Sequence, residues 1–140
     1  MAERHYRQAS YSPRSSWVLD CRDYAYSAQY DEHEACDSDY QAGSGRGTAT
    51  FSFDMRPGTY DVYVEGRHTA NRNPAGARVE VNCGAESHVA YIQQRTEPHI
   101  KQMDLHGRYC LSGAVEVVVD SSVSGASDSV SRVRIVPAGS

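Results

Sequence analysis

The sequence predicts an all-β protein built as an antiparallel sandwich, and three observations support this prediction. The first is composition: the 140 residues include 14 Val but only three Leu, three Ile and one Lys, and valine favours strands whereas leucine and lysine favour helices. The second is a period of two in the apolar residues from position 48 onward. The third is that turn residues separate these alternating segments at intervals of roughly ten residues, which is typical of a sandwich or barrel.

The first 47 residues have no clear period. Residues 1–16 are polar, with Pro13 and several serines, and we expect an N-terminal arm or a first irregular strand. Residues 17–47 are rich in Tyr, Asp and Gly, which predicts long loops with short extended pieces. A chain of this length holds one domain, so we expect a single sandwich domain over 17–140.

The predicted strands follow in order from residue 48. Alternate apolar positions fall at Ala49, Phe51 and Phe53; Tyr60, Val62 and Val64; Ala77, Val79 and Val81; Val89 and Tyr91; Val115, Val117 and Val119; and Val133 and Ile135. A weaker strand covers 100–105, and Tyr109 and Leu111 share a face beyond it. Pro57-Gly58 predicts a turn after the first of these strands. Since each strand turns only three or four apolar side chains inward, two sheets must share one core about 10 Å thick.

The distribution of charge argues against two classes of partner. The formal net charge is −4, and 13 of the 14 basic residues are arginines scattered along the chain. A nucleic-acid binder or a protein of anionic membrane surfaces would carry a basic cluster. No apolar run approaches the 18 or so residues of a membrane span. We therefore expect neither nucleic-acid binding nor membrane insertion.

Four cysteines in a small chain are typical of an exported domain held by disulfides. Pairing neighbours along the chain gives Cys21–Cys36 and Cys83–Cys110, one of three possible connectivities. Free structural thiols are an alternative. A zinc site is another, although its spacing lacks short Cys pairs; it would use Cys83, His88, His106 and Cys110. The start of the chain is polar, without an apolar signal segment, so the chain is either a mature or excised domain, secreted or at the cell surface, or a cytosolic protein. We favour the first.

Several short motifs occur in a distinctive order: DY at 39–40, GTATF at 47–51, PGTYDVYV at 57–64, ARVEV at 77–81, Gln93, SG at 112–113 and SRVRI at 131–135. In this order they resemble the golvesin C-terminal domain family, which is related to the C-terminal module of xanthan lyases. The resemblance covers roughly residues 24–136. It implies an antiparallel, jelly-roll-like β-sandwich that is appended to secreted bacterial enzymes and surface proteins and acts as a carbohydrate-binding or adhesion module.

A sugar site needs flat aromatic faces for the apolar side of a pyranose and planar polar groups for its hydroxyls. Aromatic faces are available at Trp17, Tyr30, Tyr40 and Tyr63. The turn-rich stretch 66–76 offers Arg67, His68, Asn71, Arg72 and Asn73, and loops on a rigid sandwich are the usual place for binding residues. The alternative is that the rings seal a leucine-poor core and that the arginines are solvated surface charges.

Catalysis has little support in the sequence. There is no G-x-S-x-G motif, and the Gly-rich stretch 43–47 leads into a strand and not into a helix, so it does not predict a phosphate site. The acidic segment 31–39 could hold a structural calcium ion or be a solvated loop. We expect a non-catalytic module without a cofactor that binds a glycan or cell-surface polymer. The alternative is a structural or adhesive domain that contacts protein partners or itself by strand addition.

Overall fold

A computed structural model describes residues 1–12, 17–18, 36–38, 47–68, 75–95, 100–121 and 128–138. These residues form ten strands and one short 3-10 turn, at Tyr6–Gln8. The strands are β1 (Ala2–His5), β2 (Ser10–Ser12), β3 (Trp17–Val18), β4 (Cys36–Ser38), β5 (Thr48–His68), β6 (Ala77–Cys83), β7 (Glu86–Ile92), β8 (Ile100–Asp120), β9 (Ser129–Val130) and β10 (Arg132–Pro137). The predicted all-β class is confirmed.

The main sheet has seven strands in the order β1-β10-β5-β8-β6-β7, with β2 paired to β5. A small sheet has the order β3-β4-β9. Every pairing between described strands is antiparallel. The predicted antiparallel arrangement is therefore confirmed, and the sandwich arises because the main sheet folds over itself.

The fold-over occurs where β5 and β8 bend together. Their ladder shifts register between Met55 and Gly58, and Gly113 on β8 has a φ of 72°, a conformation that glycine adopts without a steric cost. Sequence analysis predicted a turn at Pro57-Gly58. The structure instead has a bend inside one long strand, because β8 continues to pair with β5 on both sides of it.

The two halves of β5 belong to different layers. Residues 48–55 lie among β2, β6 and β7, whereas residues 58–68 lie beside β10 and β1. The inward side chains change from odd to even positions across the bend: Phe51 and Phe53 are buried before it, Val62 and Val64 after it. Both sets join one core cluster, so the bent ribbon closes the sandwich.

The core is rich in valine and aromatic side chains, as the composition predicts. Its buried members come from every long strand and include Ala49, Phe51, Val62, Val64, Val79, Val81, Val115, Val117, Val119, Val133 and Ile135. Burial of such a side chain contributes about 1.5–3 kcal/mol. The N-terminal segment also contributes, since Tyr6 is 1% exposed and its backbone N–H donates to the Ser131 carbonyl at 2.7 Å.

The inward and outward faces of β7 are the reverse of those that the sequence predicts. Val89 and Tyr91 of β7 are 45% and 54% exposed, whereas Ile92 is buried. The register with β6 places Ala90 opposite Val79, which is fully buried. Because side chains alternate between the two faces of a strand, Val89 and Tyr91 then point to solvent.

Candidate functional site

Trp17 is a core residue and not a sugar-stacking platform. Its side chain is 2% exposed and belongs to the main core cluster, and its ring centroid lies 5.4 Å from that of Tyr11. A ring that is only 2% exposed offers almost no surface to a ligand. The prediction that Trp17 binds ligand is therefore wrong, and the alternative reading, in which rings seal the core, holds at this position.

Most of the other predicted ligand-binding residues fall outside the described part of the chain. Tyr30, Tyr40, Asn71, Arg72 and Asn73 lie there. The backbone of Arg67 and His68 ends β5, opposite Lys101 and Ile100 of β8. Their roles remain predictions.

Tyr63 occupies the position that sequence alternation predicts, on the outward face of its layer. It lies opposite Arg134 of β10 on one side and Leu105 of β8 on the other. Leu105 is 55% exposed. We define the Tyr63 face by eight outward residues of this layer: Glu3, Asp61, Tyr63, Glu65, Leu105, Arg108, Arg132 and Arg134. It combines an aromatic and an aliphatic side chain in its middle with charged groups around them.

Each arginine of the Tyr63 face is held by a carboxylate. Arg134 contacts Glu3 at 2.7 Å. Arg132 lies 2.8 Å from Glu65 and 3.6 Å from Glu3, so it bridges two acids. The face therefore presents planar guanidinium and carboxylate groups in fixed positions, with three positive and three negative charges.

The third ion pair of the face joins β8 to β5. Arg108 donates two hydrogen bonds to Asp61, at 2.8 and 3.1 Å. This bidentate geometry suits guanidinium and carboxylate groups. Hydrogen bonding from Arg108 lowers the pKa of Asp61 below its usual value, and the same bond raises the pKa of Arg108. Both groups are therefore charged at neutral pH.

Sequence reasoning missed a buried polar cluster around His106. The β5–β8 register pairs Val62 with Gly107 and Tyr63 with Leu105, so His106 is the extra residue of a β-bulge, a device that redirects a side chain. The imidazole is 8% exposed. Its Nε2 lies 2.7 Å from the carbonyl oxygen of Val79, and its Nδ1 lies 2.7 Å from the hydroxyl of Tyr109.

The contact with Val79 assigns the tautomer of the neutral His106 ring. A carbonyl oxygen only accepts, so Nε2 carries the hydrogen and Nδ1 accepts from Tyr109. Burial lowers the pKa of His106 and also raises that of Tyr109. The ring of Tyr109 in turn stacks on His88 of β7, with 4.2 Å between ring centroids. The cluster thus ties β8 to β6 and β7, and both imidazole nitrogens of His106 are used in doing so.

A surface cavity of about 540 Å³ lies at the bend of the ribbon. Its lining includes Pro57, Thr59, Cys83, Glu86, Cys110 and Leu111. Both cysteines are free thiols, so the predicted Cys83–Cys110 disulfide is not formed. The other predicted pair, Cys21–Cys36, cannot be compared, because Cys21 and the side chain of Cys36 lie outside the described residues.

The pairing of β8 with β5 and β6 explains why the two thiols do not form a disulfide. Cys83 lies opposite Val115 of β8, whereas Cys110 lies five residues earlier in β8, opposite Thr59 of β5. Each sulfur has its own neighbour: Cys83 Sγ is 3.3 Å from the carbonyl oxygen of Ser112, and Cys110 Sγ is 3.7 Å from Thr59 Oγ1. Among the described residues, no group of three or more His, Cys, Asp or Glu side chains is arranged to hold a metal ion. No helix in this part of the chain has the length and apolarity needed to cross a membrane.

No family model and no curated protein matches the chain, but solved structures share its fold. A GH26-CBM35 β-(1,4)-mannanase from Podospora anserina matches 99% of the chain at 10% identity, with a TM-score of 0.62. A Paenibacillus xanthan lyase matches 88% of the chain at 18% identity, with a TM-score of 0.62. The insecticidal crystal protein Cry2Aa matches 96% at 9% identity, with a TM-score of 0.64.

The chain spans only 28%, 11% and 21% of the length of these three proteins, respectively. At such low identity the similarity is one of fold. The fold is the β-sandwich type of carbohydrate-binding modules, and no match singles out the golvesin family.

Proposed function

We propose that the protein is a non-catalytic carbohydrate-binding module, exported to the cell surface or medium, and that the Tyr63 face binds the glycan. The observation that carries this proposal is an outward Tyr63 surrounded by three fixed arginine–carboxylate pairs, on a fold that two polysaccharide-degrading enzymes also contain. The backbone of Arg67 and His68, two of the predicted binding residues, belongs to the same half of β5 that carries Tyr63.

The binding would rest on stacking and hydrogen bonds, with no bond made or broken. The apolar side of a sugar ring would cover Tyr63 and Leu105, which removes apolar surface from water. The guanidinium groups would donate to sugar oxygens, and the carboxylates would accept from hydroxyls. Because the ion pairs are already formed, little side-chain freedom is lost when a ligand arrives.

Affinity electrophoresis through gels containing a soluble neutral polysaccharide, such as glucomannan, tests the proposal. We expect the polysaccharide to retard the wild-type protein and Tyr63→Ala to weaken the retardation. Ser112→Ala, at an exposed position by the bend, is the matched control and should migrate as the wild type does. Equal retardation of Tyr63→Ala and wild type would remove the Tyr63 face from the proposal. Unretarded migration of the wild type across a panel of neutral and acidic polysaccharides would reject glycan binding.

A second candidate function is self-association or protein binding through β7. Among the described strands β7 pairs only with β6, so its other edge offers backbone groups for strand addition, and Val89 beside it is 45% exposed. Sedimentation velocity over a hundredfold range of concentration distinguishes this function. Concentration-dependent assembly that Val89→Lys abolishes would support it, and a monomer throughout would count against self-association.

A further inference from the structure

The most exposed aromatic ring among the described residues does not belong to the Tyr63 face. Tyr91 is 54% exposed, and it lies on the outward face of the other layer, formed by β7, β6, the second half of β8, the first half of β5 and β2. Because the layers of a sandwich turn their outward faces in opposite directions, Tyr91 and Tyr63 point away from each other.

A row of polar side chains crosses all five strands beside Tyr91. The registers place one residue of each strand in line: Tyr91, Arg78, Asp120, Thr48 and Ser12. Neighbouring strands lie about 4.8 Å apart, so the row is about 19 Å long. We define the Tyr91 face as this row together with Glu80, Asn82, Glu116 and Asp54, which lie on the same side of their strands.

Hydrogen bonds fix the polar groups at the centre of this face. Arg78 donates to the carboxylate of Glu80 and lies 3.4 Å from Asp120. It also forms a side-chain hydrogen bond with Tyr91, and these partners raise the pKa of Arg78. Asn82 donates to the second oxygen of Glu80 at 3.4 Å. The hydroxyl of Tyr91 is therefore anchored to a set of planar guanidinium, amide and carboxylate groups.

The charge of the face defines the chemistry of its ligand. One arginine is set against four carboxylates, those of Asp54, Glu80, Glu116 and Asp120. An anionic polymer would be repelled by this excess of negative charge, whereas hydroxyl groups donate strong hydrogen bonds to carboxylates. An exposed tyrosine next to such acceptors fits an uncharged polyhydroxylated chain, and the length of the row fits several sugar units.

We propose that the Tyr91 face is a second glycan site, selective for uncharged chains, which makes the module bivalent. This inference rests on the proposed function of the protein and adds a site to it. Two opposite faces can hold two separate chains, or two parts of one long chain, and linked binding events raise the overall affinity for a polymer without any new contact.

The test counts binding sites for a neutral probe. Isothermal titration with a β-1,4-linked mannohexaose is carried out on the wild type, Tyr63→Ala, Tyr91→Ala and the double variant, with Ser112→Ala as the control. Tyr91 is 54% exposed and outside the core, so we expect Tyr91→Ala to keep the thermal unfolding midpoint of the wild type. We expect two sites per chain in the wild type and the control, one unchanged site and one about tenfold weaker in each single variant, and two weakened sites in the double variant.

The outcomes separate the inference from the function on which it rests. One site that Tyr63→Ala removes and Tyr91→Ala leaves unchanged would overturn the second site and leave the proposed function standing. No binding by the wild type would reject both. Tyr91→Phe keeps the ring and should retain most of the affinity. A polygalacturonate that binds the Tyr63→Ala variant as tightly as the neutral probe does would contradict the charge selectivity.

Discussion

Gln94 shows how single buried polar residues fix the arrangement of the chain. Its side chain is 2% exposed and bonds both backbone groups of Ser129: Nε2 donates to the carbonyl at 2.8 Å, and Oε1 accepts from the N–H at 3.0 Å. Gly66 makes room for this contact, since a Cβ there would lie 2.5 Å from the Ser129 carbonyl oxygen. The side-chain amide of Gln94 thus hydrogen-bonds to Ser129 in the way that the backbone of a neighbouring strand would.

Replacement of Gln94 by alanine should destabilise the protein by about 2–4 kcal/mol, because two buried backbone groups of Ser129 lose their partners. Its neighbour Gln93 is exposed, and Gln93→Ala should change the free energy of unfolding by no more than about 0.5 kcal/mol. Urea unfolding of both variants measures the difference. Equal effects in the two variants would contradict the role assigned to Gln94.

His106 makes stability depend on pH in a defined direction. Burial lowers the folded pKa of His106 below its ordinary value of 6.5, so at mildly acidic pH the unfolded chain binds a proton that the folded chain does not. The contribution of His106 is then complete above pH 6.5 and declines as the pH falls through the folded pKa. We expect urea unfolding from pH 8 to pH 5 to show a weaker pH dependence in His106→Gln than in the wild type.

His88→Gln is the comparison for this measurement, because burial is the largest cause of the lowered pKa of His106 and the charge of His88 is a smaller one. It should keep most of the wild-type pH dependence. If stability depends on pH in His106→Gln as it does in the wild type, protonation of His106 is not the cause of that dependence.

At the residue level the sequence predicts which side chains are apolar and alternate better than it predicts which face of the sheet they occupy. Alternation correctly places Tyr63 on the face opposite Val62 and Val64. It fails for Tyr91, because an apolar side chain at every second position of an edge strand can face either way until pairing with β6 sets the side. It also fails for Trp17, since no period in residues 17–47 tells which side of the chain is covered.

At the level of elements, the β5–β8 ribbon organises the fold. Pairing runs from Thr48 opposite Asp120 to His68 opposite Ile100, across the bend. The sequence shows each half of these strands as a separate alternating segment, and Pro57-Gly58 as a break between them. Their continuity depends on contacts between residues more than 30 positions apart, which local patterns do not contain. The inward sets in β5, β6, β8 and β10 nevertheless follow from alternation alone.

Adjacent valines of β8 test this assignment of faces. Val117 is fully buried and lies opposite Phe51, whereas Val118 is on the outward face opposite Thr50. Val117→Ala should lower the free energy of unfolding by about 2–3 kcal/mol through lost burial and a residual cavity, and Val118→Ala by less than about 1 kcal/mol. Chemical unfolding monitored by circular dichroism compares them. A larger loss of unfolding free energy in Val118→Ala than in Val117→Ala would show that the inward and outward faces of β8 are assigned the wrong way round.

At the scale of the whole molecule, the bent ribbon produces a sandwich with two unlike outward faces. The Tyr63 face balances three arginines against three carboxylates, whereas the Tyr91 face is acidic. The net charge of −4 is therefore unevenly distributed between the two faces, and this distribution follows from the registers of the strands. The proposed binding function rests on these outward faces, because there the described residues offer aromatic rings and fixed polar groups together.

The central claim, that a glycan binds the outward sheet faces, is tested most directly by amide chemical shifts. A ¹⁵N-labelled sample is titrated with the neutral mannohexaose, and the shifted amides are mapped on the strands. We predict shifts around Tyr63 and Leu105 and around Tyr91 and Arg78, with saturation and with little change at the cavity near Cys110. Shifts confined to the cavity or to the edge of β7 that pairs with no other described strand, or none at all at millimolar ligand, would contradict the account.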